Sequence, residues 1–428
     1  METYIVKLRR DKSDLLSEES VEIPSTPSAR RAAFSTLEQR FRQSASKLTG
    51  VLADQQHLTR KNYRWLFEKM DAGGFDVLSA GSVSEAVSSG LLSYEPLVVS
   101  NAYAVTATED VFARIMQLDG VQEVHPNYVM ELPGSGEETL ARSTPLSHCS
   151  QLWHHTHLGV PSAHQLSTGR SVSVAVLDTG LDASHPEFSH MSLAGHAEWD
   201  DLGIQVPSAQ LTDTHSHGTH VTGILCGASV GIAPDIDLYV GTVAPSGFTT
   251  FAQLGKGFDW AASNGVDVVS VSLGKTAPVF SLEYEIDNLA FQGILVVVAA
   301  GNDGPGQIRC PGNCRHSLTV GAVDANNQVW TRSGGGRVVG TPPYWKPEVY
   351  APGVDICSCV PHGGYAVKSG TSMATPMVAG VAALIKGRSL NLSFPNLVDV
   401  LRRRSVNIPI PATLGTSGLL VSAARAVT

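Results

Sequence analysis

From residue 171 to residue 323 the chain repeats one pattern: a short, almost wholly apolar run rich in valine, then a helical stretch, then another such run. The runs are residues 171–177, 237–243, 266–271, 294–300 and 318–323, and stretches 219–226, 251–263 and 282–291 have helical character. A strand with one face in water alternates apolar and polar residues. Runs that are apolar on both faces belong instead to a parallel sheet covered by helices on each side, with right-handed crossovers. The fold class expected is therefore α/β. Sheets of this kind bind ligands at the carboxyl ends of their strands. Asp178, Gly274 and Asn302 each follow a run, so the sheet alone puts them on one rim.

Three short stretches carry chemistry. Ser369-Gly370-Thr371-Ser372-Met373-Ala374-Thr375-Pro376 reads as a sharp turn, freed by Gly370, that feeds a helix of small apolar residues. A serine at that place meets free backbone N–H groups and the positive end of the helix dipole, which suits a nucleophile whose reaction creates an oxyanion. The run ending at Leu177 delivers Asp178-Thr179-Gly180, and His215-Ser216-His217-Gly218-Thr219-His220 heads a second small-residue helix. Ser372 needs a base, and an imidazole titrates near neutrality. A carboxylate can accept the other imidazole N–H, fix the tautomer and stabilise the imidazolium. Asn302 offers a side-chain N–H to the oxyanion beside the Ser372 backbone N–H. The residue types leave alternatives open: Asp182 in place of Asp178, His215 or His220 in place of His217, and a loop-capping role for Asn302.

These stretches, in the chain order Asp178, His217, Ser372, resemble the subtilisin-like serine peptidases from about residue 152 to the C-terminus. The resemblance implies a subtilisin-like parallel sheet with helices on both faces over residues 151–428. It also implies endopeptidase chemistry through an acyl-enzyme on Ser372, with no cofactor required. In the family pattern the first histidine of His-Gly-Thr-His is catalytic, which selects His217 and leaves His220 to pack. Ser246-Gly247-Phe248 and Ser272-Leu273-Gly274 match the family segments that pair with an extended peptide. Ala299-Ala300-Gly301 resembles the far wall of the first pocket, whose small residues leave room for a large apolar side chain. Two departures stand out. Lys275 occupies a place where the family often has glycine, and the segment after Gly223 is too short for the family's calcium-binding loop. Glu187 and Glu348 fall near family cation positions, so structural calcium rests on lone carboxylates, whereas calcium takes six or more oxygens.

The front of the chain reads as a smaller α+β domain, residues 1–132. Residues 3–9 alternate as a strand, 10–30 are polar and loop-like, and 29–52 are helical with Phe34, Leu37, Phe41 and Leu48 near helical spacing. A second helix is expected over 63–70, while 71–93 is ambiguous. Strand 97–106, helix 109–118 opened by Thr108, the Asp119-Gly120 turn and strand 121–132 complete the module. Its last part resembles the inhibitory propeptide of subtilisins, with an insertion at about 10–93. That implies an intramolecular inhibitor whose final strand, 128–132, lies in the cleft like a product. An unrelated α+β docking domain is the other reading. Residues 133–150 are a linker by composition, with self-cleavage expected between 132 and 144, and Pro133 disfavours the bond directly after Leu132.

Composition narrows the partners. The net charge of −9 argues against nucleic acid, and Arg402-Arg403-Arg404 reads as a solvated helix face. No run is long and apolar enough to cross a membrane, and the N-terminus lacks a signal pattern, so a cytoplasmic protein or signal-independent export is expected. The expected partner is a protein or peptide substrate. The six cysteines do not form a disulfide-scaffold pattern. Cys310 and Cys314 are read as a local bridge or free thiols rather than, with His316, Cys357 and Cys359, a zinc site, since no metal signature is matched. Cys226 is expected as a buried thiol on the His217 helix. The rival functions are a latent or binding protein whose front domain blocks the cleft, and an esterase using the same triad.

Overall fold

A computed structural model describes residues 2–8, 25–47, 93–97, 99–100, 102–107, 121–132 and 152–428, the last span without 208–209, 277–280, 341 and 416. In the front part the strands are β1 (Glu2–Leu8), β2 (Ser93–Leu97), β3 (Ala102–Ala107), β4 (Val121–Pro126) and β5 (Val129–Glu131). The body continues with β6 (Ser173–Asp178), β7 (Ser192–Glu198), β8 (Asp237–Thr242), β9 (Phe248–Thr250), β10 (Val268–Val271), β11 (Leu295–Ala299) and β12 (Leu318–Val323). It ends with β13 (Gly336–Val338), β14 (Tyr344–Lys346), β15 (Val349–Pro352), β16 (Ile356–Val360), β17 (Gly364–Lys368), β18 (Val406–Ile408) and β19 (Gly418–Leu420).

The body is built on a nine-stranded sheet in the order β18-β19-β15-β12-β11-β10-β6-β8-β7, parallel throughout except for the β18–β19 pair. β6, β10, β11 and β12 are buried along their whole length, as runs apolar on both faces require. Helices His217–Cys226 and Thr371–Arg388 share one core cluster with the sheet, while Phe251–Asn264 and Ser281–Phe291 belong to another. After β6 the chain goes one way to β7 and β8, then returns across β6 to β10. The reversal opens a crevice at the carboxyl ends of β6 and β10, the place where such sheets bind ligands.

The front part differs from the expected module. Residues 97–106 are not one strand: β2 turns at Val99-Ser100 into β3, and the four strands form an antiparallel sheet in the order β2-β3-β1-β4. Residues 121–132 are likewise two strands, because Asn127 leaves the pattern. Its side-chain N–H donates to the Asp201 carbonyl at 2.9 Å and its side-chain oxygen accepts the Ala252 N–H at 2.9 Å. The helix begins two residues earlier than expected, at Pro27, and runs to Lys47. It packs on helix Phe251–Asn264 of the body. The expected helices 63–70 and 109–118, and the linker 133–150, lie outside the described residues.

The front sheet rests on helices Phe251–Asn264 and Ser281–Phe291, sharing a cluster that joins Ile5, Leu97 and Ala104 to Leu254, Phe258 and Ile286. Polar groups are matched across it. The Val99 N–H donates to Asp259 at 2.7 Å, the Val99 carbonyl accepts from Asn288 at 2.5 Å, and Lys7 faces Glu285 at 3.9 Å. No helix among the described residues is long and apolar enough to cross a membrane.

Candidate active site

β6 ends at Asp178, which is buried at the crevice. Asp178 Oδ1 accepts from His217 Nδ1 at 2.8 Å and from the Thr179 N–H at 2.8 Å, while Oδ2 is buried without a hydrogen-bond partner. An ionised carboxylate only accepts, so Nδ1 carries a proton, and Nε2 is the ring nitrogen not engaged by Asp178. The alternative carboxylate, Asp182, instead accepts from Ser184 and from the His362 N–H. His220 is fully buried with Nε2 on the Ala366 carbonyl at 3.0 Å, and burial pushes its pKa far down. His215 lies over Gly247, its ring 6.5 Å from that of His217.

The start of the His217 helix is set by a residue that motif reading passed over, Asp213. Its Oδ1 accepts the N–H of His215 at 3.0 Å, the N–H of Ser216 at 2.9 Å and the Thr179 hydroxyl at 2.9 Å; Oδ2 accepts the Thr219 N–H at 2.8 Å and hydroxyl at 2.7 Å. Thr179 in turn accepts the Gly218 N–H at 2.7 Å. One buried carboxylate thus satisfies donors of the helix start and ties it to the Asp178 turn. That contact needs glycine. A Cβ on Gly218 would stand 2.2 Å from the Gly180 carbonyl oxygen, and Gly180 itself has φ +121°.

Ser372 is the second residue of helix Thr371–Arg388, which is buried from Thr371 to Lys386. Gly370 has φ 165°, extended backbone open to any residue, so the conformational freedom expected of it is not what it supplies. Space is: a Cβ there would stand 3.2 Å from Asn302 Nδ2. Asn302 Oδ1 accepts the Thr371 N–H at 3.0 Å and hydroxyl at 2.9 Å, and Thr371 Oγ1 also accepts the Gly301 N–H at 3.2 Å. Thr371 therefore holds the asparagine with its amide nitrogen beside the head of the Ser372 helix, where early N–H groups lack helical partners. The Ser372 hydroxyl donates to the Ser272 carbonyl at 3.3 Å and makes no hydrogen bond to His217, while the Ser272 hydroxyl donates to the Ser372 carbonyl at 3.0 Å. Catalytic hydrogen bonds often tighten only once substrate arrives.

The two expected peptide-pairing segments flank a strand of the chain itself. β5 pairs antiparallel with β9, setting Glu131 opposite Phe248 and Met130 opposite Thr249. The Leu132 N–H continues the β9 edge by donating to the Gly247 carbonyl at 3.2 Å, and on the other edge the Glu131 N–H donates to the Gly274 carbonyl at 3.3 Å and the Gly274 N–H to the Glu131 carbonyl at 3.0 Å. Leu273 is 1% exposed and packs in the core, so this segment meets a peptide through backbone. Lys275, the departure from family glycine, exchanges two backbone hydrogen bonds with Cys310.

The far wall of the first pocket departs from expectation. A Cβ on Gly274 would stand 3.1 Å from Arg309 Cβ, and one on Gly301 would stand 2.7 Å from Arg309 Cγ. The Arg309 side chain therefore runs between the two rims, in the room that Ala299, Ala300 and Gly301 were expected to leave to a large apolar group. Its guanidinium grips Asp303 with Nε at 2.6 Å and Nη2 at 3.0 Å, which holds the Asp303 carboxyl below its ordinary pKa. An isolated arginine carries no sequence signal of such a role.

The two carboxylates expected near cation positions are engaged by donors of the chain. The Glu187 carboxylate accepts from Ser229, from the Val230 N–H and from the Tyr365 hydroxyl at 2.8 Å; Glu348 is paired with Lys346 at 2.6 Å and accepts the Thr319 N–H. Among the described residues no three His, Cys, Asp or Glu side chains converge. The zinc reading fails on geometry as well. Cys226, Cys310, Cys314 and Cys359 are in no disulfide, Cys357 is disulfide-bonded, and His316 faces Asp287. The Cys310 and Cys314 thiols are joined by a hydrogen bond, and Cys226 is buried, which pushes its thiol up to about 12.

Comparison with known proteins bears on this arrangement. The model of the subtilase family matches residues 169–415. M-protease of Shouchella clausii (strain KSM-K16) is 36% identical over 259 residues, 59% of this chain and 62% of that protein. Subtilisin Savinase of Lederbergia lenta is 34% identical over 264 residues, 60% of this chain and 91% of that protein. Subtilisin E of Bacillus subtilis (strain 168) is 37% identical over 243 residues, 54% of this chain and 59% of that protein. The chain thus spans less than two thirds of M-protease and Subtilisin E. The family match covers more than half of the chain and encloses the crevice, and the chain belongs to the subtilase family.

Proposed function

We propose that this protein is a serine endopeptidase in which Ser372, His217 and Asp178 act as nucleophile, base and orienting carboxylate. The observation that carries the reading is the Asp178–His217 hydrogen bond at a crevice shared with Ser372 and Asn302. His217 Nε2 takes the Ser372 proton as Oγ attacks the peptide carbonyl carbon. The negative charge on the former carbonyl oxygen is met by Asn302 Nδ2 and the Ser372 N–H. His217 then gives its proton to the departing amine, leaving an acyl group on Ser372, and a water activated by the same imidazole releases it. No cofactor takes part. Backbone pairing on Gly247–Phe248 and Ser272–Gly274 favours peptides over simple esters.

In the same reading, residues 1–132 are an inhibitory domain with an insertion at about 10–93, and 133–150 hold the processing site. β5 occupies the peptide-pairing position, which is the observation favouring a latent state before cleavage. The test is casein hydrolysis with mass analysis of the protein. Ser372→Ala should lower the rate by about 10⁶-fold, the scale of the corresponding loss in a subtilisin, and should leave the chain uncut. Asn302→Ala should cost about 10²–10³-fold, again as in a subtilisin. Hydrolysis that survives Ser372→Ala would end the proposal.

A further inference from the structure

We infer that Arg309 is a specificity-determining residue that selects an acidic side chain at the third substrate position before the cleaved bond. The position of a cleaved bond rests on the endopeptidase reading; the acid preference of the subsite does not.

The register of β5 gives the position. Glu131 exchanges two backbone hydrogen bonds with Gly274. In an antiparallel pair the next bonded position lies two residues along each strand, which brings the following partner to Ser272. The Ser272 carbonyl oxygen is 3.3 Å from Ser372 Oγ. The substrate residue held at Ser272 is therefore the one that acylates Ser372, and the one held at Gly274 stands two residues upstream of it.

The side chain at that position meets a prepared cation. The Arg309 side chain is 8% exposed and is clamped on one edge by Asp303. A fork held in this way loses little freedom on meeting another partner. Its remaining terminal nitrogen, Nη1, reaches Glu131 Oε1 at 3.3 Å and the Gly274 carbonyl at 3.4 Å. Asp303 and Glu131 are the acids that hold the guanidinium's pKa above its ordinary value. A second cation lies on the same rim: Lys275, next to Gly274, places Nζ 4.9 Å from the Tyr128 ring centroid. A glutamate at this position completes the Arg309 donor set. A glutamine keeps a hydrogen bond without the charge, and a lysine sets like charges together. Glu131 is 46% exposed on its side chain, so solvent screens the pair and the preference should be moderate.

Two measurements on the full-length protein test this. In the first, internally quenched peptides differing only at the third residue before the cleaved bond are compared by kcat/KM. Glutamate should be preferred roughly 5-fold over glutamine and roughly 20-fold over lysine. Arg309→Gln should shrink these ratios to within about 2-fold, and Arg309→Glu should reverse the order of glutamate and lysine. Equal cleavage of all three peptides by the unaltered protein would overturn the inference. The second measurement needs no catalysis. In the Ser372→Ala chain, amide exchange at residue 131 and Gly274, corrected for intrinsic rates, reports how firmly β5 is seated. Glu131→Lys should speed it roughly 10-fold, and adding Arg309→Glu should restore it. Unchanged exchange in Glu131→Lys would overturn the inference whatever the peptides show. If exchange behaves as expected but no peptide is hydrolysed even by protein cut between 132 and 144 and freed of its front domain, the endopeptidase reading fails and the acid-selecting subsite stands.

Discussion

Strand β5 and helix Pro27–Lys47 both come from the front of the chain and both lie on the body, yet they are held by different forces at opposite ends of the sheet. β5 sits at the carboxyl end of β10 and is bound by backbone hydrogen bonds, with Met130 and Leu132 buried and Val129 53% exposed. The helix reaches the amino end of β10 through Arg30, which is wholly buried. Arg30 is paired with Asp267 and also donates Nε to the Gly265 carbonyl at 3.1 Å and Nη1 to the Ser25 carbonyl at 3.0 Å. Asp267 further accepts the Ser173 N–H and hydroxyl, each at 2.9 Å, and faces Lys386 at 3.3 Å. Any extended peptide can offer backbone N–H and carbonyl groups, so the strand's seat can be taken by a competitor. A buried charge inserted among matched partners has no substitute in solution, and removing it strands the charges left behind. The strand is a contact suited to release, and the helix is one suited to retention.

This contrast can be broken in three ways. The largest effect is expected from Arg30→Ala, which should lower unfolding free energy by about 3–5 kcal/mol in urea, because Asp267 and Lys386 stay buried with one cation missing. A loss below about 1 kcal/mol would mean that the helix anchor is as exchangeable as the strand. The second test loads the body and spares both anchors. His154 is buried with both ring nitrogens lacking partners, and burial lowers its pKa to about 3. The unfolded chain takes up this proton near 6.5 while the folded chain refuses it until about 3, so its effect is nil above neutrality and stability drops as pH falls through that window. By pH 4 the drop should be about 3 kcal/mol. His154→Phe should flatten that limb of the stability curve, and an unchanged limb would refute the assignment. The smallest effect belongs to the joint between front sheet and strand. Asn127→Ala removes the bonds to Asp201 and Ala252 and should weaken the seating of β5 by about 1 kcal/mol, read as faster amide exchange there with the unfolding midpoint of the body unchanged.

Much of the body could be read because its signals are local. Apolar runs marked β6, β10, β11 and β12, and the ends of those runs put Asp178, Gly274 and Asn302 on one rim. β7 gave no such signal. It is an edge strand of sequence Ser-Leu-Ala-Gly-His-Ala-Glu, largely exposed, so burial never demanded an apolar run. In the front sheet, apolar alternation is the same for one long strand as for two short ones. Residues 97–106 turn at Val99-Ser100, whose neighbours Asp259 and Asn288 lie far along the chain.

By itself the sequence determined that β6, β8, β10, β11 and β12 are strands and that Asp178, Gly274 and Asn302 follow strand ends, since periodicity acts within a few residues. It also marked a helix over 29–52, through Phe34, Leu37, Phe41 and Leu48 near helical spacing. Which surface covers that helix was decided by the tertiary structure, through one arginine meeting an aspartate 237 residues away. The tertiary structure likewise decided that Arg309 stands where a large apolar side chain was expected. The physical reason is the same in both places. A charged side chain carries no period, and its meaning comes from the partners that a low-dielectric interior brings within hydrogen-bond reach.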